Sequence, residues 1–207
     1  VTLKVSDGRD SNSATVTIRV GNKPPVASID APTSGTTWQV DDIISFSGRG
    51  TDPEEWNLPA SALSWSIILH HCPANCHTHP VQDFVGAAQG EFDAPDHEYP
   101  SFIELKLTVT DSAGETDTAS VQVDPATVAL TFQTKPGGLS LVVGPTAQQA
   151  TFSRTVIIGS RNSISAPSPQ GKGKNSLSFR SWSDGGAQAH DIVAPGFNQT
   201  YRADYAK

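Results

Sequence analysis

Apolar and polar positions alternate with period two along most of the chain. Val1, Leu3 and Val5 do so at the start, Val16, Ile18 and Val20 follow, and Leu105, Leu107, Val109, Val121 and Val123 repeat the pattern further on. Alternation over about four to eight residues marks a strand with one buried face. The residues between are Ser, Thr, Gly, Asn, Asp and Pro, which build turns. No stretch carries a helical period, so the pattern predicts an all-β chain of tandem antiparallel β-sandwiches. In the last part it predicts strands over 128–133, 139–143, 152–158, 177–182, 189–193 and 199–205. Among these, 166–174 reads as a flexible loop and Ser183-Asp184-Gly185-Gly186 as a hairpin turn.

An internal echo suggests the domain boundaries. The opening LKVSDGRDSNSATVTIRV is similar to LTVTDSAGETDTASVQV at 107–123. Leu3 corresponds to Leu107, Val5 to Val109 and Asp7 to Asp111; with one extra residue in the first turn, Ile18 and Val20 correspond to Val121 and Val123. The second copy would close a module of about 100 residues, the size of an immunoglobulin-like sandwich. Residues 1–22 are then expected to be the terminal hairpin of a truncated preceding module, 23–125 a full sandwich entered through Lys23-Pro24-Pro25, and 126–207 a smaller sandwich after Asp124-Pro125. A two-stranded hairpin is marginal alone in water, so the first copy is expected to dock on something. Asp7 and Asp111 are expected to bond to their own turn backbones.

Charge narrows the function classes. Lys and Arg total 14 against 21 Asp and Glu, a formal net charge of −7, and charged residues are only 17% of the 207. That is below the roughly 25% of an average domain and speaks against coiled coils and acidic tails. The basic residues are scattered, so no nucleic-acid footprint is expected. No apolar run approaches the roughly 18 residues of a membrane helix, and no signal peptide is evident; the opening VTLKVSDG is expected to follow further sequence. There is no G-x-S-x-G elbow and no phosphate-cradling glycine loop. Asp96, Glu98 and Glu104 read more simply as a turn leading into a strand than as a carboxylate pair. The chain is therefore expected to be non-catalytic.

The hairpin VTDSAGETDTASVQV, after a Pro-Pro linker and SFSGRGTDPEE, resembles polycystic-kidney-disease (PKD) and related immunoglobulin-like repeats of secreted bacterial proteins. It departs from that family in lacking the Trp-Asp-Phe-Gly-Asp-Gly motif, in place of which Leu63-Ser64-Trp65-Ser66-Ile67-Ile68-Leu69 stands. Over about 24–207, SWSIILHHCPANCHTHP, APDHEYPSFIELKLTVTDS, FRSWSDGGAQAH and TYRADY resemble the C-terminal accessory region of secreted glucose/sorbosone-dehydrogenase-type sugar oxidoreductases. The resemblance implies an extracellular, non-catalytic appendage of a carbohydrate-active enzyme. Its partners would be a polysaccharide or cell-surface glycan and a catalytic domain elsewhere in the same polypeptide.

Three sets of residues carry candidate chemistry. In His70-His71-Cys72-Pro73-Ala74-Asn75-Cys76-His77-Thr78-His79-Pro80, four of the six histidines and both cysteines fall within ten positions. In an exported protein Cys72 and Cys76 are most simply a disulfide bracing the loop. The other reading is a transition-metal site, since imidazole suits Zn, Cu and Ni. His77 and His79, two apart on an extended strand, point the same way; with them would stand His70 or His71, and His97 or Glu98.

The second set is Thr51-Asp52-Pro53-Glu54-Glu55, whose clustered carboxylates suit Ca2+, with Asp52 and Glu54 as ligands and Asp41-Asp42 shortly before. The plain alternative is that these acids decorate turns. The third is the tryptophans. Trp65, flanked in phase by Leu63 and Ile67, reads as a core residue, whereas Trp56, Trp38 and Trp182 are candidate platforms for sugar rings. A carbohydrate-binding accessory module, a structural spacer and a metal-binding module all remain open on these residues.

Overall fold

The structure is a computed structural model that describes residues 2–15, 21–72 and 76–207. In chain order its strands are β1 (Thr2–Ser6), β2 (Ser11–Thr15), β3 (Val26–Ala31), β4 (Thr37–Trp38), β5 (Ile43–Asp52), β6 (Trp56–Asn57), β7 (Leu63–His71), β8 (His77–Val85), β9 (Gln89–Asp93) and β10 (Ser101–Thr110). They continue as β11 (Thr116–Pro125), β12 (Thr127–Lys135), β13 (Ser140–Val143), β14 (Thr146–Gln149), β15 (Phe152–Ile157), β16 (Arg161–Ser165), β17 (Ser178–Trp182), β18 (Ala189–Val193) and β19 (Gln199–Ala206). Each strand foreseen in the last part is present, within one to two residues at its ends. β14 and β16 were not foreseen. β14 is an exposed, polar edge with no alternation to read.

Two sandwiches follow one another. In the first, the sheet β4-β11-β10-β7-β8 faces a sheet made of β3, β5, β6 and β9. In the second, β15-β12-β19-β17 faces β14-β13-β16-β18. The inward phase of β7 is Leu63, Trp65, Ile67 and Leu69, and that of β10 is Ile103, Leu105, Leu107 and Val109, all 2% exposed or less. Opposite them β5 contributes Ile44 and Phe46 and then, in the same phase, Gly48 and Gly50. These glycines are set by packing. A Cβ at Gly48 would lie 2.9 Å from both Trp65 and Leu107, and one at Gly50 would lie 2.4 Å from Val109. Their absence lets the two sheets close on large side chains from the facing layer.

The junction between the sandwiches is packed and hydrogen-bonded. Ile157, on β15 of the second sandwich, is fully buried in the core cluster of the first, with Trp38 and Trp65. Val40 N–H donates to the Ile158 carbonyl (3.0 Å), Ala126 N–H to the Trp38 carbonyl (2.7 Å), and Ile158 N–H to the Ala126 carbonyl (2.9 Å). The second core is a separate cluster around Phe132, Leu141, Trp182 and Tyr201.

Three expectations change. Ser183–Gly186 is not a hairpin turn, because β17 pairs with β19 while β18 pairs with β16; the turn carries the chain from one sheet to the facing one. There Asp184 Oδ2 accepts from His190 Nε2 (3.0 Å) and Asp184 Oδ1 from Gly186 N–H (3.1 Å). The 166–174 loop is pinned by Gln170, whose amide bonds Ser140 N–H and carbonyl, the Pro167 carbonyl and the Tyr205 hydroxyl. In the β1–β2 hairpin the Asp7 turn joins Ser6 to Ser11, whereas the Asp111 turn joins Thr110 to Thr116. The first turn is thus one residue shorter than the second. The Ile18 and Val20 correspondences lie outside the described residues. Leu3 and Val5 are 66% and 62% exposed, so among the described residues this hairpin leaves its apolar face in solvent. Asp7 Oδ1 does accept from Arg9 and Asp10 N–H, as foreseen for its turn.

Candidate metal centre

The core-facing phase of β7 runs off the end of the first sandwich at His71. In register, Leu69 opposes His79 and His71 opposes His77 on β8, so these three imidazoles share one face. His97 arrives from the segment between β9 and β10. The four rings make a closed circuit of contacts: His71 to His77 at 5.1 Å between centroids, His77 to His79 at 4.8 Å, His79 to His97 at 5.1 Å and His97 to His71 at 4.7 Å. The parity of β7 decides between the two adjacent histidines. His70 lies on the other face, where its Nε2 meets Glu104 Oε2 at 2.9 Å and its ring stacks on Phe102.

Burial pushes the His71 pKa below its ordinary value, and the neighbouring His97 and His77 push it the same way against a smaller pull from Glu98. The neutral, ligand-competent form is thereby favoured. His97 Nδ1 lies 3.2 Å from the Glu98 carbonyl, which only accepts, so Nδ1 carries the proton and Nε2 presents its lone pair. Beside His71 in the sheet, Ser101 Oγ is buried without a hydrogen-bond partner. Cys72 and Cys76 are joined in a disulfide that closes the β7–β8 connection between His71 and His77. Neither sulfur is available as a thiolate, so a metal here would be held by imidazole.

A metal–nitrogen bond of about 2.0–2.1 Å puts each ring centre about 3.2 Å from the ion. Adjacent centres then lie about 5.2 Å apart in a tetrahedral site and about 4.5 Å apart in a square-planar one. The four observed separations fall in that interval. The rings nevertheless meet edge to face, and among the described residues no three His, Cys, Asp or Glu side chains already gather their donor atoms around one point. The spacing fits an ion, and the ring orientations have to turn to receive it.

The imidazoles open onto a cleft of about 830 Å3 between the sandwiches. Its far wall includes Arg154, Arg161 and Asn162. Asp96, next to His97, accepts from Arg161 N–H at 3.0 Å, so the histidine-bearing segment is tied to the second sandwich.

Asp52 and Glu54 do not join this site. They sit at the opposite end of the first sandwich, about 30 Å of strand away. Of the four tryptophans, Trp65 is in the core as expected, donating its indole N–H to the Ala87 carbonyl. Trp38 and Trp182 are corrected as sugar platforms. They are 1% and 3% exposed and donate their indole N–H to the Val123 and Gln188 carbonyls. Only Trp56, at 79% exposed, keeps a face in solvent.

No family model and no curated protein matches the chain. Among solved structures, the major pilin subunit BcpA of Bacillus cereus aligns with 99% of this chain and 77% of its own at 9% identity and a TM-score of 0.30; a variant of the same pilin gives 100%, 77%, 9% and 0.29. A Ca2+-stabilized adhesin by which an Antarctic bacterium binds ice aligns with 96% of this chain and 56% of its own at 11% identity and a TM-score of 0.25. Scores this low carry no weight, and the assignment of tandem β-sandwiches rests on the strand pairing, which is antiparallel except for β12 with β19 and β11 with β4. No helix among the described residues is long and apolar enough to cross a membrane.

Proposed function

We propose that this chain is a non-catalytic, extracellular metal-binding module that takes one Zn2+, Ni2+ or Cu2+ ion on His71, His77, His79 and His97. The observation that carries this reading is the closed circuit of four imidazoles at 4.7–5.1 Å. The disulfide beside them and the depressed His71 pKa both support it. With His97 tied through Asp96 to the second sandwich, the bound ion would also stiffen the junction.

The test is equilibrium dialysis and calorimetric titration of the oxidised chain with each ion. One ion per chain is expected, with binding lost in His77→Ala/His79→Ala and kept in His70→Ala. Wild-type protein that stays folded and takes up no ion, or uptake that survives the double substitution, would refute it. A glycan-binding accessory role, attached to an enzyme of the same polypeptide, keeps one supporting observation, the exposed Trp56. Affinity electrophoresis on soluble polysaccharides with Trp56→Ala as control tests that second reading.

A further inference from the structure

The second sandwich carries a cation on the inward phase of one of its strands. On β15 that phase is Phe152, Arg154 and Val156, and Arg154 stands opposite the fully buried Leu130 of β12. Directly opposed residues of an antiparallel pair share a face, so Arg154 sets out toward the core. β15 ends its sheet and β14 ends the facing one, which leaves a way out between the two edges. Arg154 and Thr146 of β14 both line the cleft whose other wall bears the imidazoles.

The donors of Arg154 are unused. It is half-buried, its guanidinium carbon lies 5.8 Å from the centre of the Phe152 ring, and among the described residues it makes no ion pair and no hydrogen bond through its side chain. An inward charge on an edge strand discourages pairing with other chains, and that role alone calls for no ligand. Here, however, a second guanidinium lines the same cleft: Arg161, whose side chain has Asp191 at 3.8 Å as its ion-pair partner. Holding five N–H donors half out of water with no acceptor costs free energy that a bound oxyanion would offset. Two carboxylates, Asp96 and Glu98, also line the cleft beside His97, and Asp96 already accepts from Arg161 N–H. Between them and Pro100 comes Tyr99, 45% exposed.

We infer that this cleft binds an acidic saccharide, with a uronic-acid carboxylate on the Arg154 guanidinium, Arg161 beside it and a sugar ring against Tyr99. A carboxylate matches the guanidinium fork with two parallel hydrogen bonds, and a tyrosine offers an apolar face with a polar tip. The cleft volume of about 830 Å3 lies in the range of about 300–1,000 Å3 that encloses a small ligand. The chain as a whole carries a formal charge of −7, so its overall field repels polyanions and retention has to come from this local arrangement. The inference does not rest on the proposed ion, because the guanidinium groups hold the saccharide from the second sandwich. It does not use Trp56 either, which lies at the other end of the first.

The experiment uses the full chain, stripped of metal with EDTA and dialysed free of it. Calorimetric titrations with trigalacturonate, its methyl ester, inorganic phosphate and a triglutamate peptide are compared. Saturable binding of one trigalacturonate per chain is expected, with the uncharged methyl ester at least about tenfold weaker. Arg154→Gln should weaken binding about 10–100-fold, the loss of a charge-assisted pair. The exposed Arg161→Gln and Tyr99→Ala should each weaken it several-fold at unchanged melting temperature, which keeps the test open if Arg154→Gln fails to fold. Trp56→Ala should change nothing. Folded wild type that takes up no trigalacturonate, a methyl ester that binds equally well, or affinity that survives all three cleft substitutions overturns the site. Phosphate or triglutamate binding as tightly as the trisaccharide overturns the saccharide assignment. Since no metal is present, failure here leaves the ion-uptake result standing, and failed ion uptake leaves this one.

Discussion

Ile157 offers the sharpest test of how the two sandwiches are joined. It belongs to β15 of the second sandwich yet lies at 0% exposure in the first core. Ile157→Ala removes three carbons, worth about 2.4 kcal/mol at about 0.8 kcal/mol per buried methylene equivalent. The unfilled cavity raises the cost to about 3–4 kcal/mol, inside the range of about 2–5 kcal/mol for buried Ile→Ala changes. For a chain of this length that corresponds to a fall in melting temperature of about 6–16 °C, at about 2–4 °C per kcal/mol. Ile157→Val should cost only about 0.5–1.5 kcal/mol.

Scanning calorimetry read beside tryptophan fluorescence makes the test specific, since Trp38 and Trp65 sit in the cluster that receives Ile157. The Ile157→Ala loss must appear in the fluorescence of that first core as well as in the heat signal. A loss under about 1 kcal/mol, or one confined to a separate transition with unchanged Trp38 and Trp65 fluorescence, would refute the interlocked junction. The same result would loosen the argument that Asp96 and Arg161 hold His97 across the cleft.

Other outcomes follow from the same contacts. The depressed His71 pKa means that the unfolded chain binds the extra proton more readily, so the metal-free protein should lose stability as pH falls from about 6.5 through the lower folded pKa, and ion uptake should fade over the same window; urea midpoints between pH 8 and 5 that do not move in wild type, or that move equally in His71→Gln, would contradict this. Gly50→Ala should destabilise by about 1–3 kcal/mol through its 2.4 Å clash with Val109, measured by denaturant midpoint, and Val109→Ala should partly rescue it. Gln170→Ala should cost about 1–3 kcal/mol and speed amide exchange across 166–174, because one side chain ties that loop to Ser140 and Tyr205. Gly186→Ala should perturb the His190 resonances, since its Cβ would lie 2.2 Å from His190 Nε2.

Much of the fold was legible because β-sandwiches write their burial directly into residue parity. Leu63, Trp65, Ile67 and Leu69 could be assigned to the core from alternation alone, and the structure buries all four. Trp38 was misread because its strand has only two residues, in a polar context, and is covered by parallel pairing with the distant end of β11. Trp182 was misread because the Ser183–Gly186 turn passes between facing sheets, which no local signal distinguishes from a hairpin. β16 carries a single buried residue, Ile164, and so offers no pattern.

The candidate sites follow the same parity rule, which explains why they were half visible. An inward-facing strand position near the middle of a sandwich must be apolar, but the last inward position at either end meets loops, whose backbone N–H groups can satisfy a buried polar side chain such as Asp52 or Asp111. On β5 that position is Asp52, and directly after β10 it is Asp111; on β7 it is His71, with His77 opposite it on β8. The same register that packs the core thus aims carboxylates out of one end and imidazoles out of the other. Spacing within one strand was enough to pair His77 with His79, and parity selects His71 over His70. The sequence left His97 and Glu98 as alternatives for the last member, and the structure puts the His97 ring against His71 and His79, because that meeting depends on which loop the sandwich folds over its end.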